Sequence, residues 1–229
     1  MYIGVTIKQN NMDKTIYKFG FWSGIIASAA TIAFVAVQLL QVTGNLLFPL
    51  DEILIYGISL CIVIPFLIQM LSLHYAAAHK KKFWSHGALI FTIIYAVFVT
   101  TNYVVQLATV IPMKLNGAGD KVLILEQTPH SLFWDLDGIG YFFMGLATLM
   151  AVPVFEKHGF EKWVRISFLA NALVTPLIMF VYFYRPYSER LLFIAFPWAI
   201  TAPLAMLMLA LLFKKNKEYK NEQVENRWF

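Results

Sequence analysis

Residues 79–114 read HKKKFWSHGALIFTIIYAVFVTTNYVVQLATVIPMK, and this stretch decides the fold. The cationic cluster Lys80-Lys81-Lys82 is followed by an apolar run, Trp84–Met113, that holds no Asp, Glu, Lys or Arg. A membrane-spanning helix needs roughly 20 predominantly apolar residues. In hydrocarbon an unpaired backbone amide costs several kcal/mol, so such a run must be a helix or a strand of a closed barrel. Barrel strands alternate in polarity over about 10 residues. This run is unbroken and far longer, which selects the helix. It also exceeds what a bilayer requires, so the helix is expected to tilt or to extend past the membrane.

Five other segments read the same way: Tyr17–Val42, Glu52–Tyr75, Leu132–Phe155, Phe160–Tyr184 and Ser188–Phe213. The expected fold class is an all-α integral membrane bundle of six transmembrane helices. It spans residues 17–213, between an N-terminal segment at 1–16 and a charged tail at 214–229 that is expected to fray. Composition agrees. With 59% hydrophobic and 14% charged residues and a mean hydropathy of +0.66, the chain has too little polar surface to coat a soluble particle. The uncharged stretch from Phe19 to Leu50 outruns the roughly 7–15-residue core of a cleavable signal. Met1 and Met12 both stand as candidate starts.

Orientation follows from the cations. With the N-terminus in the cytoplasm, only Lys114, Lys121, Arg185 and Arg190 of the 18 Lys and Arg residues fall outside. The positive-inside rule favours this arrangement, with both termini cytoplasmic and an even number of spans. The sequence pI near 9.2 is therefore a mark of topology and does not point to nucleic acid; the expected partner is the lipid bilayer of a cell membrane.

The connections are short except for an outer loop at 114–131. Its Leu115–Asp120 stretch is a turn signal, and the apolar run between Lys121 and Glu126 reads as an edge strand, a short helix on the headgroups, or a lid over the bundle. Thr128, Pro129 and Ser131 form a start signal for the fourth helix. Gly20, Gly24 and Ser28 make a small-residue face suited to close helix packing within the bundle or in a dimer. Pro65, Pro153, Pro176, Pro197 and Pro203 lie in or near spans as candidate kinks.

Several chemistries find no support. Cys61, the lone cysteine, has no disulfide or zinc partner and reads as a small buried apolar residue. His74 and His79 are five apart, not the four that would put a metal pair on one helix face. Gly117-Ala118-Gly119-Asp120 lacks the Lys-Ser/Thr of a phosphate loop. No cofactor is implied, and no catalytic residue can be assigned.

The informative residues are the polar ones inside the spans. Thr31, Gln38, Gln41 and Asn45 share one face of the first helix; Tyr95, Asn102, Gln106 and Thr109 share one of the third. Asp137, Tyr141 and Thr148 align in the fourth, and Ser167, Asn171, Thr175, Tyr182 and Arg185 in the fifth. Most of these groups fall at similar depth in the outer half of the bundle. A charge at a helix centre costs roughly 2.5–3.5 kcal/mol on insertion scales, so these groups should face each other or water. The candidate site is an outward-facing polar pocket built from Asp137, Arg185, Asn102, Gln106, Gln38, Gln41, Tyr141 and Asn171, with Asp137 and Arg185 as charge partners. The alternative for the same residues is structural: Asp135 and Asp137 at a helix N-terminus, Arg185 snorkelling, and amides joining helices.

Two stretches, Leu136–Thr148 and Lys162–Asn171, resemble a group of uncharacterised bacterial multi-pass membrane proteins of about this length. The resemblance covers the fourth and fifth helices and implies a bacterial cytoplasmic membrane; it implies no activity. Three functions follow as expectations. The first is a pocket for a small or amphiphilic ligand, including a lipid. The second is a small assembly subunit whose polar stripes serve helix packing. The third is an intramembrane enzyme acting on a lipid, with Asp137 as general acid or base.

Overall fold

The computed structural model describes the backbone of residues 2–225 and the side chains of residues 14–188 and 190–218. Met1 and Met12, and the tail cations beyond Glu218, lie outside the side chains described. Among the described residues eight α-helices follow one another: α1 (Tyr2–Val42), α2 (Leu50–Ala76), α3 (Lys82–Val105), α4 (Ile111–Leu115), α5 (Leu132–Ala151), α6 (Gly159–Phe183), α7 (Leu192–Ala195) and α8 (Trp198–Glu225). No strand occurs among the described residues. Among the described residues six helical stretches are long and apolar enough to cross a membrane: Lys14–Val42, Leu50–Ala76, His79–Leu115, Leu132–Val154, Gly159–Phe183 and Leu192–Glu218.

The local causes match the sequence at most boundaries. α5 starts where Ser131 Oγ accepts the amides of Trp134 and Thr128, each at 3.2 Å, which is an N-cap. It ends where Pro153 enters a 3₁₀ turn, Val152–Val154. The long third span is one rod made of α3, a π-helical turn at Gln106–Val110, and α4. Three boundaries differ from expectation. α1 begins at Tyr2 and α8 runs on through the polar tail to Glu225. The sixth span is broken at Phe196-Pro197, because Pro197 has no amide to continue the helix. The chain resumes through Ala199 N to Phe196 O at 2.9 Å.

The six long rods form a closed ring. α1 packs on α2, α2 on α3, α3 on α5, α5 on α6, α6 on α8, and α8 returns to α1. Small residues close it tightly along α1 and α8. A Cβ at Gly20 would lie 2.6 Å from the Phe213 ring, and one at Gly24 would lie 2.9 Å from Ala210 Cβ. Ser28 Oγ donates to the Pro203 carbonyl at 2.9 Å. The small-residue face of the first helix is thus covered by α8. Cys61, expected to be buried, is exposed on the outside of the ring. So are Ile32, Ile64, Val97, Leu173 and Ile200.

The two ends of the ring differ. At the end that carries Lys80–Lys82, cations cap helices. Lys82 Nζ donates to the His74 carbonyl near the end of α2. Lys81 Nζ donates to Val154 O at 2.7 Å and pairs with Glu156 at 2.6 Å. Arg165 donates to Val152 O at 3.0 Å. Each satisfies carbonyls left over where a helix ends, at the negative end of its dipole. At the opposite end the 114–131 loop folds over the ring. The loop forms no edge strand, one of the three forms expected of its apolar run between Lys121 and Glu126. It contains a 3₁₀ turn at Gly119–Val122, buries Val122, and is held by Lys114, which pairs with Glu126 at 2.7 Å and with Glu52 of α2 at 3.0 Å.

Candidate functional site

Under the loop, the axis of the ring is hollow. The cavity has a volume of about 190 Å³ and takes a wall from each long rod. α1 gives Phe34 and Gln38, α2 gives Tyr56, and α3 gives Tyr103. α5 gives Trp134, Asp137 and Tyr141, α6 gives Ile178 and Tyr182, and α8 gives Trp198 and Ala199. The loop adds Gln127, and the segment before the Pro197 break adds Phe193, Ala195 and Phe196. Of the lining residues, Leu39, Phe193 and Phe196 are exposed. They mark the mouth, between the end of α1 and the broken span, and all three are apolar.

Asp137 is the polar centre of this cavity and is 5% exposed. Its Oδ1 accepts from Tyr103 Oη at 2.9 Å, and its Oδ2 from Tyr182 Oη at 2.5 Å and from Gln127 Nε2 at 3.2 Å. The rings beside it form a sheath. Trp134 and Tyr182 have centroids 4.6 Å apart, Tyr141 and Trp198 5.2 Å, and Tyr56 and Tyr103 5.6 Å.

Asn102 and Gln106 sit behind the loop and do not line the cavity. Asn102 Nδ2 donates to Gln127 Oε1 at 2.8 Å and to Phe133 O at 3.2 Å. Gln106 Nε2 donates to Leu125 O at 2.7 Å, and its Oε1 accepts the Gln127 amide at 3.2 Å. Both are buried. Their donors are shared between the loop, the Phe133 carbonyl of α5 and each other, and through Gln127 they hold the loop on Asp137. An amide has two donors and one carbonyl oxygen to give, so their place in the site is to position the loop.

The other expected residues divide. Asp137, Tyr141 and Gln38 line the cavity. Gln41 lies outside it and donates to Asp51 at 2.9 Å, joining the ends of α1 and α2. Asn171 is buried elsewhere, where its Oδ1 accepts from Thr201 at 3.2 Å and its Nδ2 lies 3.4 Å from Thr148 Oγ1. Arg185 is exposed, stands outside the wall and does not pair with Asp137. The physical reason is its position beyond the last turn of α6, where the chain has left the bundle. Asp135 is exposed in the first turn of α5, and Asp137, two residues on, faces inward.

Sequence reasoning passed over Gln127, Tyr103 and the ring walls at Phe34, Tyr56, Trp134 and Trp198. Tyr103 carried a signal, since Tyr95, Val99 and Tyr103 recur at four-residue spacing and all are buried. Gln127 carried none, because a loop residue has no periodicity to betray its direction.

Fold and site together define a class: a six-rod helical ring with an axial, aromatic-walled cavity that holds one carboxylate. No protein-family model, no curated protein and no solved structure matches the chain.

Proposed function

We propose that this is a multi-pass membrane protein that holds a small amphiphilic molecule in its axial cavity. The loop end lies outside and the lysine end in the cytoplasm of a bacterial cell. The observation that carries the reading is the cavity, with walls from every long rod, a single carboxylate, and a mouth of exposed apolar side chains. Pockets for small ligands combine mostly apolar walls with a few placed polar groups. Support for the bilayer comes from the outward face of the ring, where Ile32, Ile64, Val97, Leu173 and Ile200 are exposed. A soluble monomer rarely turns so many large apolar side chains outward. The break at Pro197 adds weight, because irregular backbone at membrane depth is tolerated where it lines a cavity, and Ala195, Phe196 and Trp198 do line it. The distribution of cations supports the orientation.

Single cysteines in a Cys61→Ser background test this reading. Gln38→Cys should react with a membrane-impermeant maleimide added to intact cells, while Asn171→Cys, at a position only 2% exposed, should not. Reaction at position 38 only in inside-out vesicles would reverse the orientation and leave the pocket standing. No reaction there even in detergent-solubilised protein would remove the pocket.

A further inference from the structure

We propose that the ligand of the axial cavity is an organic cation, a single ammonium- or guanidinium-type charge carried on an apolar body. The inference rests on the cavity reading above and names the chemistry of its occupant. Among the lining residues, Asp137 is the only Asp, Glu, Lys, Arg or His. Its oxygens accept from two phenols and an amide, all neutral. The ion pairs among the described residues join Lys81 to Glu156, and Lys114 to Glu52 and Glu126; none reaches Asp137. Neutral donors orient the carboxylate but bring no cation to it, so in its ionised form it would be an unpaired charge in an apolar wall, which is expensive unless a cation joins it.

The wall around the carboxylate has the complementary property. Aromatic rings present a negative face that attracts cations, most strongly when the cation is stripped of water. Tyr103, Trp134, Tyr141 and Tyr182 surround the Asp137 side, with Tyr56 and Trp198 completing the sheath. An anion would meet the carboxylate and the ring faces with the same sign. A neutral molecule would gain burial and at most a hydrogen bond to the carboxylate. The apolar mouth at Leu39, Phe193 and Phe196 favours a cation whose charge is attached to hydrocarbon over a small hydrated ion.

The experiment compares three probes of similar shape on the full chain in nanodiscs: benzyltrimethylammonium, its neutral carbon isostere neopentylbenzene, and benzylsulfonate. Tryptophan fluorescence reports binding, because Trp134 and Trp198 line the cavity, with partition into empty nanodiscs subtracted. The cation should bind at least ~10-fold tighter than the isostere, which corresponds to about 1.4 kcal/mol. Asp137→Asn should close that gap while the isostere still binds, and Asp137→Glu should keep it. Equal binding of cation and isostere, preference for the sulfonate, or a gap that persists in Asp137→Asn would each overturn the cation and leave the pocket intact. Failure of all three probes to bind would remove the pocket reading as well. If Asp137→Asn does not yield monodisperse protein, the three-probe comparison on the wild type still decides.

Discussion

The lysine half and the loop half of this ring are built from the same six rods, yet one is solid and the other hollow. In the lysine half small residues bring the rods together, and large ones such as Phe66, Met70, Phe168 and Leu209 fill the space between them. Ala27, Ala88, Ala147, Ala151, Ala205 and Ala210 are all fully or nearly fully buried, and Gly24 and Gly145 have neighbours where a Cβ would stand. Backbones approach closely and little space is left. In the loop half the inward positions are Phe34, Tyr56, Tyr103, Trp134, Tyr141, Tyr182 and Trp198. These rings line a space along the axis. The two halves thus differ in whether their inward side chains fill the axis or line a space, without any change of topology.

The largest test of that contrast adds bulk to the solid half. Gly24→Leu would drive a side chain into Gln69 and Ala210. It should cost about 3 kcal/mol, the upper part of the usual range for overpacking, seen as a lower midpoint of thermal unfolding in detergent. The same bulk at Ala199→Leu, on the cavity wall, should leave the midpoint nearly unchanged and block labelling of Gln38→Cys. If both variants lose stability equally, the hollow is not space that a side chain can take.

A smaller effect is expected behind the loop. Asn102→Ala removes the donor to Gln127 and Phe133. At about 1 kcal/mol per buried bond the loss is roughly 2 kcal/mol. The specific readout is trypsin cleavage after Lys121, an exposed loop residue, which should accelerate more than global unfolding explains. Unchanged cleavage would mean that Gln106 and Lys114 hold the loop without Asn102.

The smallest effect lies at the lysine end. The hydrogen bond and charge of Lys81 hold Glu156 below the ordinary glutamate pKa. A carboxylate depressed in the folded state contributes stability above its unfolded pKa, and that contribution disappears as pH falls through the lower folded value. Wild type and Glu156→Gln should therefore differ slightly in unfolding midpoint at neutral pH and converge in acid. A gap that widens in acid would contradict the pairing.

How far the sequence spoke depended on whether a residue belonged to a periodic pattern. The six apolar runs, the Ser131 cap and the inward face of Asp137 were legible because bilayer length, capping chemistry and helical spacing each constrain them. Ring closure was not, since nothing along α1 or α8 says which rod each will touch. Asn102 and Gln106 were read as ligand-facing because a polar stripe looks the same whether it meets solvent, a ligand or a loop; only the position of Gln127 distinguishes these. The lysine cluster was read as a topology marker. Lys81 and Lys82 also cap helix ends, a use that charge counting cannot see.

The wide turn at Gln106–Val110 has a consequence of its own. There the Ile111 amide reaches back to the Gln106 carbonyl, so the rod carries one residue more than a regular α-helix would need. Gln106 lies at the start of that turn and Lys114 beyond it, and both grip the same loop. Deleting a single residue such as Ala108 would restore regular winding and rotate everything downstream by about 100°. The ammonium group would then swing away from Glu52 and Glu126 while the amide grip stayed in place. The surplus residue thus sets the phase between two clasps.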